Sequence, residues 1–135
     1  MDDPSLDAGQ HEEAIRALAR IHIVSRTASQ IASHLVSLSQ KVSPTAADPL
    51  RIIDIACGGG ELTSAVAQRV ARTVPHRVEF IGLDISERVI GWATQKHTLA
   101  NEHLDVSFQT CDVLNGALPS CTLAFHSLFL HHLDD

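Results

Sequence analysis

The run Arg51-Ile52-Ile53-Asp54-Ile55 passes directly into Ala56-Cys57-Gly58-Gly59-Gly60, and this junction restricts the possible folds more than any other stretch of the chain. A short β-branched run suits a buried parallel strand. The small residues that follow allow a tight turn and let backbone approach a ligand closely. From Glu61 to Val74 the apolar residues Leu62, Val66 and Val70 recur on one helical face. A strand that turns through glycines into a helix aims the first N–H groups and the positive dipole end of that helix at a crevice, where a carboxylate-bearing ligand is favoured.

The alternation continues. Val78-Glu79-Phe80-Ile81-Gly82-Leu83 reads as a second strand ending at Asp84, and Ser86 is placed to cap a helix with Val89, Ile90 and Ala93 on its apolar face. Leu104-Asp105-Val106-Ser107-Phe108 alternates as a third strand. After the turn residues Asn115-Gly116 and Pro119, Thr122 to Phe125 with Leu128 to Leu130 supply a fourth. Strands alternating with helices predict an α/β fold with a Rossmann-like parallel sheet and right-handed crossovers. Before the sheet, Ile15, Leu18, Ala19 and Ile23, then Ile31, Leu35 and Leu38, recur at helical spacing on either side of Arg26-Thr27 and predict two N-terminal helices. The prolines of Ser43 to Pro49 break that pattern. The expected division is a helical lid segment over residues 1–48 and a ligand-binding domain over 49–135.

At 135 residues, 44% hydrophobic and 19% charged, the chain suits one globular domain. Its net charge of −6, with no basic patch, argues against nucleic acid as a partner. The apolar runs fall short of the roughly 20 residues a membrane span needs. The start Met1-Asp2-Asp3-Pro4 is unlike a signal peptide, so a cytoplasmic location is expected. Cys57, Cys111 and Cys121 form neither an even disulfide set nor a metal-binding pair.

In parallel sheets ligands bind beyond the carboxyl ends of the strands, at the point where the strand order reverses. Asp84 ends the second run, about 20 residues beyond the glycines, where a carboxylate accepts from both hydroxyls of a ribose. Asp112, after the third strand, is placed to accept from the exocyclic amine of adenine. Taken singly, Asp84 reads equally as a helix cap and Asp112 as a turn initiator; together with the glycines they favour nucleoside binding. Asp54 is expected to brace the turn through backbone N–H groups. Cys57 is expected to be a small packing residue, and Trp92 to pack on the sheet. His11, His22, His34, His76, His97 and His103 lack ligand spacing. His131 and His132 are adjacent, so their rings point in different directions; they are weak candidates for a general base, and no metal is expected.

With Asp54, Ala56-x-Gly58-x-Gly60 and Asp84, the chain resembles the class I S-adenosylmethionine-dependent methyltransferases, alanine replacing the first glycine of their loop. Ser127-Leu128-Phe129-Leu130-His131-His132-Leu133 resembles the fourth-strand motif of those acting on small molecules, including quinones. The resemblance implies strand order 3-2-1-4 and S-adenosylmethionine as cofactor. It assigns cofactor contacts to Asp54, Ala56, Cys57, Gly58 and Gly60 in the loop, Asp84 and Ile85 after the second strand, Cys111, Asp112 and Val113 after the third, and Ser127 after the fourth. The N-terminal helices match a segment that lids the cofactor. Thr122 stands where the family often begins its fourth strand with Asp, implying a lost supporting bond. The family also continues with further strands beyond the fourth. The chain is therefore expected to be part of a longer protein, and the edge carrying Leu123 and Phe125 to self-associate.

The expected activity is in-line methyl transfer to a small-molecule or quinone/lipid-like acceptor, which requires alignment more than a catalytic side chain. Two alternatives stand beside it: an NAD(P)-dependent oxidoreductase, whose G-x-G-x-x-G loop would need glycine at Thr63, and a non-catalytic cofactor-binding or interaction fragment.

Overall fold

A computed structural model describes residues 4–42 and 48–127. In chain order the elements are α1 (Pro4–Val42), β1 (Leu50–Ile55), α2 (Glu61–Thr73), β2 (Val78–Asp84), α3 (Glu87–His97), β3 (Leu99–Ala100), β4 (Leu104–Thr110) and β5 (Leu123–His126). The sheet order is β3-β4-β2-β1-β5, parallel throughout except for the antiparallel β3. The predicted order 3-2-1-4 is thus present as β4-β2-β1-β5. The added β3 is two exposed residues paired with Val106 and Asp105, too short to register as an alternating pattern.

Side-chain alternation along the strands decides where the core lies. Leu50 and Ile52 of β1, Val78 and Phe80 of β2, and Leu104, Val106 and Phe108 of β4 face one side, where they are buried with Leu62, Val66 and Val70 of α2 and Ile90 and Ala93 of α3. Both crossovers, β1-α2-β2 and β2-α3-β4, step in the same direction across the sheet. Right-handed connections therefore place both helices on the same face. The other face carries a smaller cluster, Ile53, Ile81 and Leu83, with Ile55, Cys111 and Val113 against it. The direction reverses between β1 and β5, which creates the switch point beside the end of β1.

Three expectations are corrected, those for the N-terminal segment, Trp92 and Thr122. The N-terminal segment is one helix, α1, rather than two: Val24, Ala28, Ile31, Ala32 and Leu35 form one continuous stripe through Arg26-Thr27 against the shared core, and no proline or glycine interrupts it. Trp92 does not pack on the sheet. It is 54% exposed, with the Lys96 ammonium 5.0 Å from its ring centroid. Leu123 and Phe125 are half-buried against the core, while Ala124 and His126 alternate outward. Thr122 in turn retains a bond at the start of β5: its Oγ1 accepts from Arg51 N at 3.4 Å, and its N–H donates to Arg51 O at 2.8 Å. Among the described residues, no helix is long and apolar enough to cross a membrane.

Candidate functional site

Between β1 and α2 the chain turns through three left-handed residues, Ala56 (φ 58°), Gly58 (φ 57°) and Gly60 (φ 86°). For Gly58 and Gly60 this conformation costs little. For Ala56 it costs about 1 kcal/mol, and Ala56 is the one non-glycine residue with positive φ among those described. Backbone strain of this kind collects at ligand sites. A Cβ on Gly58 would project into open space, whereas one on Gly60 would lie 2.9 Å from the Phe108 ring. The turn is therefore open toward the crevice and closed toward the core.

Asp84 fixes that turn. Its Oδ2 accepts from Gly58 N at 3.0 Å and its Oδ1 from Ser86 N at 3.0 Å, while Cys57 N donates to Leu83 O at 2.9 Å. The loop is thereby tied to the end of the neighbouring parallel strand. Each carboxylate oxygen has two lone pairs, so each retains an acceptor site after this bracing. Ser86, as expected, caps α3 by accepting from Val89 N at 3.3 Å.

Asp54 has a different partner from the one predicted. It is buried, and its Oδ2 accepts from Thr63 Oγ1 at 2.6 Å, so it ties β1 to the first turn of α2. Burial pushes its carboxyl up to about 7, opposed by the Thr63 hydrogen bond and reinforced by the charge on Asp84. Between about pH 4 and 7 the folded chain retains a proton that the unfolded chain has released, so stability falls as pH rises through that window and levels off above it. Asp54→Asn retains an acceptor for Thr63 and is expected to flatten this slope. Thermal melts of both proteins from pH 5 to 8 check this; equal losses of Tm in the two would reject the assignment.

Cys57 is buried, and burial followed by the charges of Asp54 and Asp84 pushes its thiol up to about 12, consistent with packing and not nucleophilic attack.

A cavity of about 730 Å³ opens at these strand ends, within the usual range of small-molecule sites. It brings together Ala56, Gly58, Asp84 and Ser127 from the sequence-derived set. Gly60, Cys57 and Asp54 are buried and do not line it. Cys111 N donates to Asp84 O at 2.9 Å, which sets Cys111, Asp112 and Val113 beside the far side of Asp84, outside the cavity wall. Ile85 is 70% exposed next to them. The Asp112 carboxylate is engaged in a turn, accepting from Leu114 N and Asn115 Nδ2, each at 3.0 Å. The Asn115 side chain and then the Leu114 N–H hold it below the usual carboxylate range. His131 and His132 lie outside the described residues. Sequence reasoning missed Thr63 and the outer wall: Arg20, Ile21, Val24 and Ser25 of α1 with Ala65 and Arg69 of α2. Only Thr63, a polar residue on the buried face of α2, left a readable signal.

The sequence matches the family model of a methyltransferase domain over residues 47–129. No curated protein matches it significantly. Among solved structures, magnesium protoporphyrin IX methyltransferase from Synechocystis PCC 6803 with bound SAH is similar at 24% identity and a TM-score of 0.55, over 78% of this chain and 42% of that one. The same enzyme with bound SAM is similar at 23% identity and a TM-score of 0.55, over 83% of this chain and 48% of that one. The chain spans less than half the length of those structures, and what it shares with them is the fold.

Proposed function

Since the chain belongs to this methyltransferase-domain family, we propose that it forms the donor-binding part of an S-adenosylmethionine-dependent methyltransferase acting on a small-molecule or quinone/lipid-like acceptor. The observation that carries the reading is the position of Asp84: its carboxylate sits at a strand end, lines the cavity beside Gly58, and keeps acceptor capacity on both oxygens. That arrangement suits the two hydroxyls of a ribose. The open space over Gly58 leaves room for a ligand to lie against the turn. Gly58, Ala56 and the start of α2 would face the methionine end of the cofactor, and Ile85, Asp112 and Val113 its adenine side.

S-adenosylmethionine supplies a methyl group already activated by the positive sulfonium. What remains for the chain is to bind, to align, and to exclude water. The turn is preorganised for the first two tasks by its bonds to Asp84 and Leu83. Ile21 and Val24 of α1 line one side of the cavity, which supports a covering role for that helix. Thr63 counts against the dinucleotide alternative, because it is buried and bonded to Asp54 where that motif requires glycine.

Calorimetric titration provides the test. S-adenosylmethionine and S-adenosylhomocysteine are expected to bind in the micromolar range usual for cofactors and substrates, and NAD not to bind. Binding of NAD alone would overturn the reading.

A further inference from the structure

The cavity is electrically divided. Asp84 and Glu61 lie at its strand-end wall, whereas Arg20 and Arg69 line the wall formed by α1 and α2. Glu61 and Arg69 are eight positions apart on α2, about 12 Å along the helix axis, so the second charge is well removed from the glycine turn. Arg69 is held rigidly. Its Nη2 donates to Ser25 Oγ at 2.9 Å, its Nε to Ser29 Oγ at 3.1 Å, and its Nη1 to Ala65 O at 3.1 Å. All three acceptors are neutral, and among the described residues no carboxylate pairs with Arg69 or Arg20. A guanidinium has five N–H donors, so the bonds that orient Arg69 leave donors unused and its charge uncompensated. Beside it the wall is apolar, with Ile21, which is 63% exposed, Val24 and Ala65.

A fixed, unpaired guanidinium next to apolar surface is suited to an amphiphilic anion, since the cost of ordering the arginine is met before the ligand arrives. We infer that the outer half of this cavity is the acceptor subsite, and that it takes a molecule with an apolar body and a carboxylate, the carboxylate resting on Arg69 with support from Arg20. The inference rests on the proposed donor site, because it assigns to the acceptor the part of the cavity that the donor leaves open. It narrows the acceptor class to acidic amphiphiles.

The test uses the full chain saturated with S-adenosylhomocysteine and two probes, octanoate and 1-octanol, followed by calorimetry. Octanoate is expected to bind at least about tenfold more tightly than octanol, the contribution of one charged hydrogen-bonded contact. Arg69→Gln is expected to remove about that factor, Arg69→Lys to restore part of it, and both to leave S-adenosylhomocysteine affinity unchanged. Equal binding of the two probes, or octanoate affinity unaltered in Arg69→Gln, would show that Arg69 only ties α1 to α2 and would overturn the inference. A fall in S-adenosylhomocysteine affinity would overturn it differently, by assigning Arg69 to the methionine carboxylate. If Arg69→Gln fails to fold, Arg20→Gln carries the test: Arg20 is exposed, and its loss should weaken octanoate several-fold without changing the melting temperature, unaltered octanoate affinity being the contrary result. Failure of S-adenosylhomocysteine to bind wild type would reject the donor reading alone, provided that octanoate still bound the unloaded chain in an Arg69-dependent manner.

Discussion

Asp84→Ala is expected to weaken S-adenosylmethionine binding by at least about 100-fold, and this is the largest functional effect foreseen for a single residue. Two losses combine. The first is direct: two hydroxyl-to-carboxylate hydrogen bonds of roughly 1.5–3 kcal/mol each would go. The second is indirect. Asp84 accepts from Gly58 N and Ser86 N, so its removal frees the glycine turn from the end of β2 as well as the entry to α3. Asp84→Asn separates the two contributions, because it retains one acceptor oxygen and replaces the other with an NH₂ that faces a backbone donor. Its expected loss is nearer tenfold. Asp84 is half-buried at the cavity wall, so both variants should fold and melt within a few degrees of wild type. The measurement is calorimetric Kd with a parallel thermal melt; affinity within threefold of wild type in a folded Asp84→Ala protein would remove Asp84 from the ribose role.

The parts of this site that were legible in the sequence are those whose chemistry is written along the chain. A β-branched run, a cluster of small residues and an acidic residue at the next strand end are each local signals, and the parallel topology brings them together without further information. The sheet order came with the family resemblance, whereas right-handed crossovers decide only the face on which α2 and α3 pack. Where the reading erred, the deciding contact was made across the fold. Asp54 was expected to bond the backbone of the turn next to it, but Thr63, nine residues on, comes within 2.6 Å once α2 docks. The division of α1 at Arg26-Thr27 followed from two polar residues that a helix on the surface tolerates freely. The outer wall of the cavity was illegible for a stronger reason. Arg69 has no special spacing, and its meaning depends on Ser25 and Ser29, 44 and 40 residues earlier on another helix.

The largest expected effect on folding falls on a glycine that the sequence did not single out. Gly82 lies in the middle of β2, paired with Asp54 on one side and Phe108 on the other. A Cβ placed there would be 2.6 Å and 2.8 Å from Phe108 Cδ1 and Cε1, and 2.9 Å from Cys57 Sγ. Phe108 is itself confined, because its ring also lies 2.9 Å from where a Cβ on Gly60 would be. The aromatic ring therefore occupies a slot floored by two glycines, one in the strand and one in the ligand-binding turn, and it has little room to yield. Gly82→Ala is expected to destabilise by about 1–3 kcal/mol as an overpacked core, and Gly82→Val by more, lowering Tm by roughly 10 °C or leaving the protein insoluble. Phe108→Leu, made with Gly82→Ala, relieves the clash, so the double variant should be more stable than the sum of the two single effects by about 1 kcal/mol. Urea melts of the four proteins in this cycle check it, and additive losses would show that Phe108 is not the group in the way. Because the same ring supports Gly60, the single Gly82→Ala change should also weaken donor binding, whereas the double variant should recover it. In this way the packing of the third parallel strand determines the shape of the turn that faces the cavity.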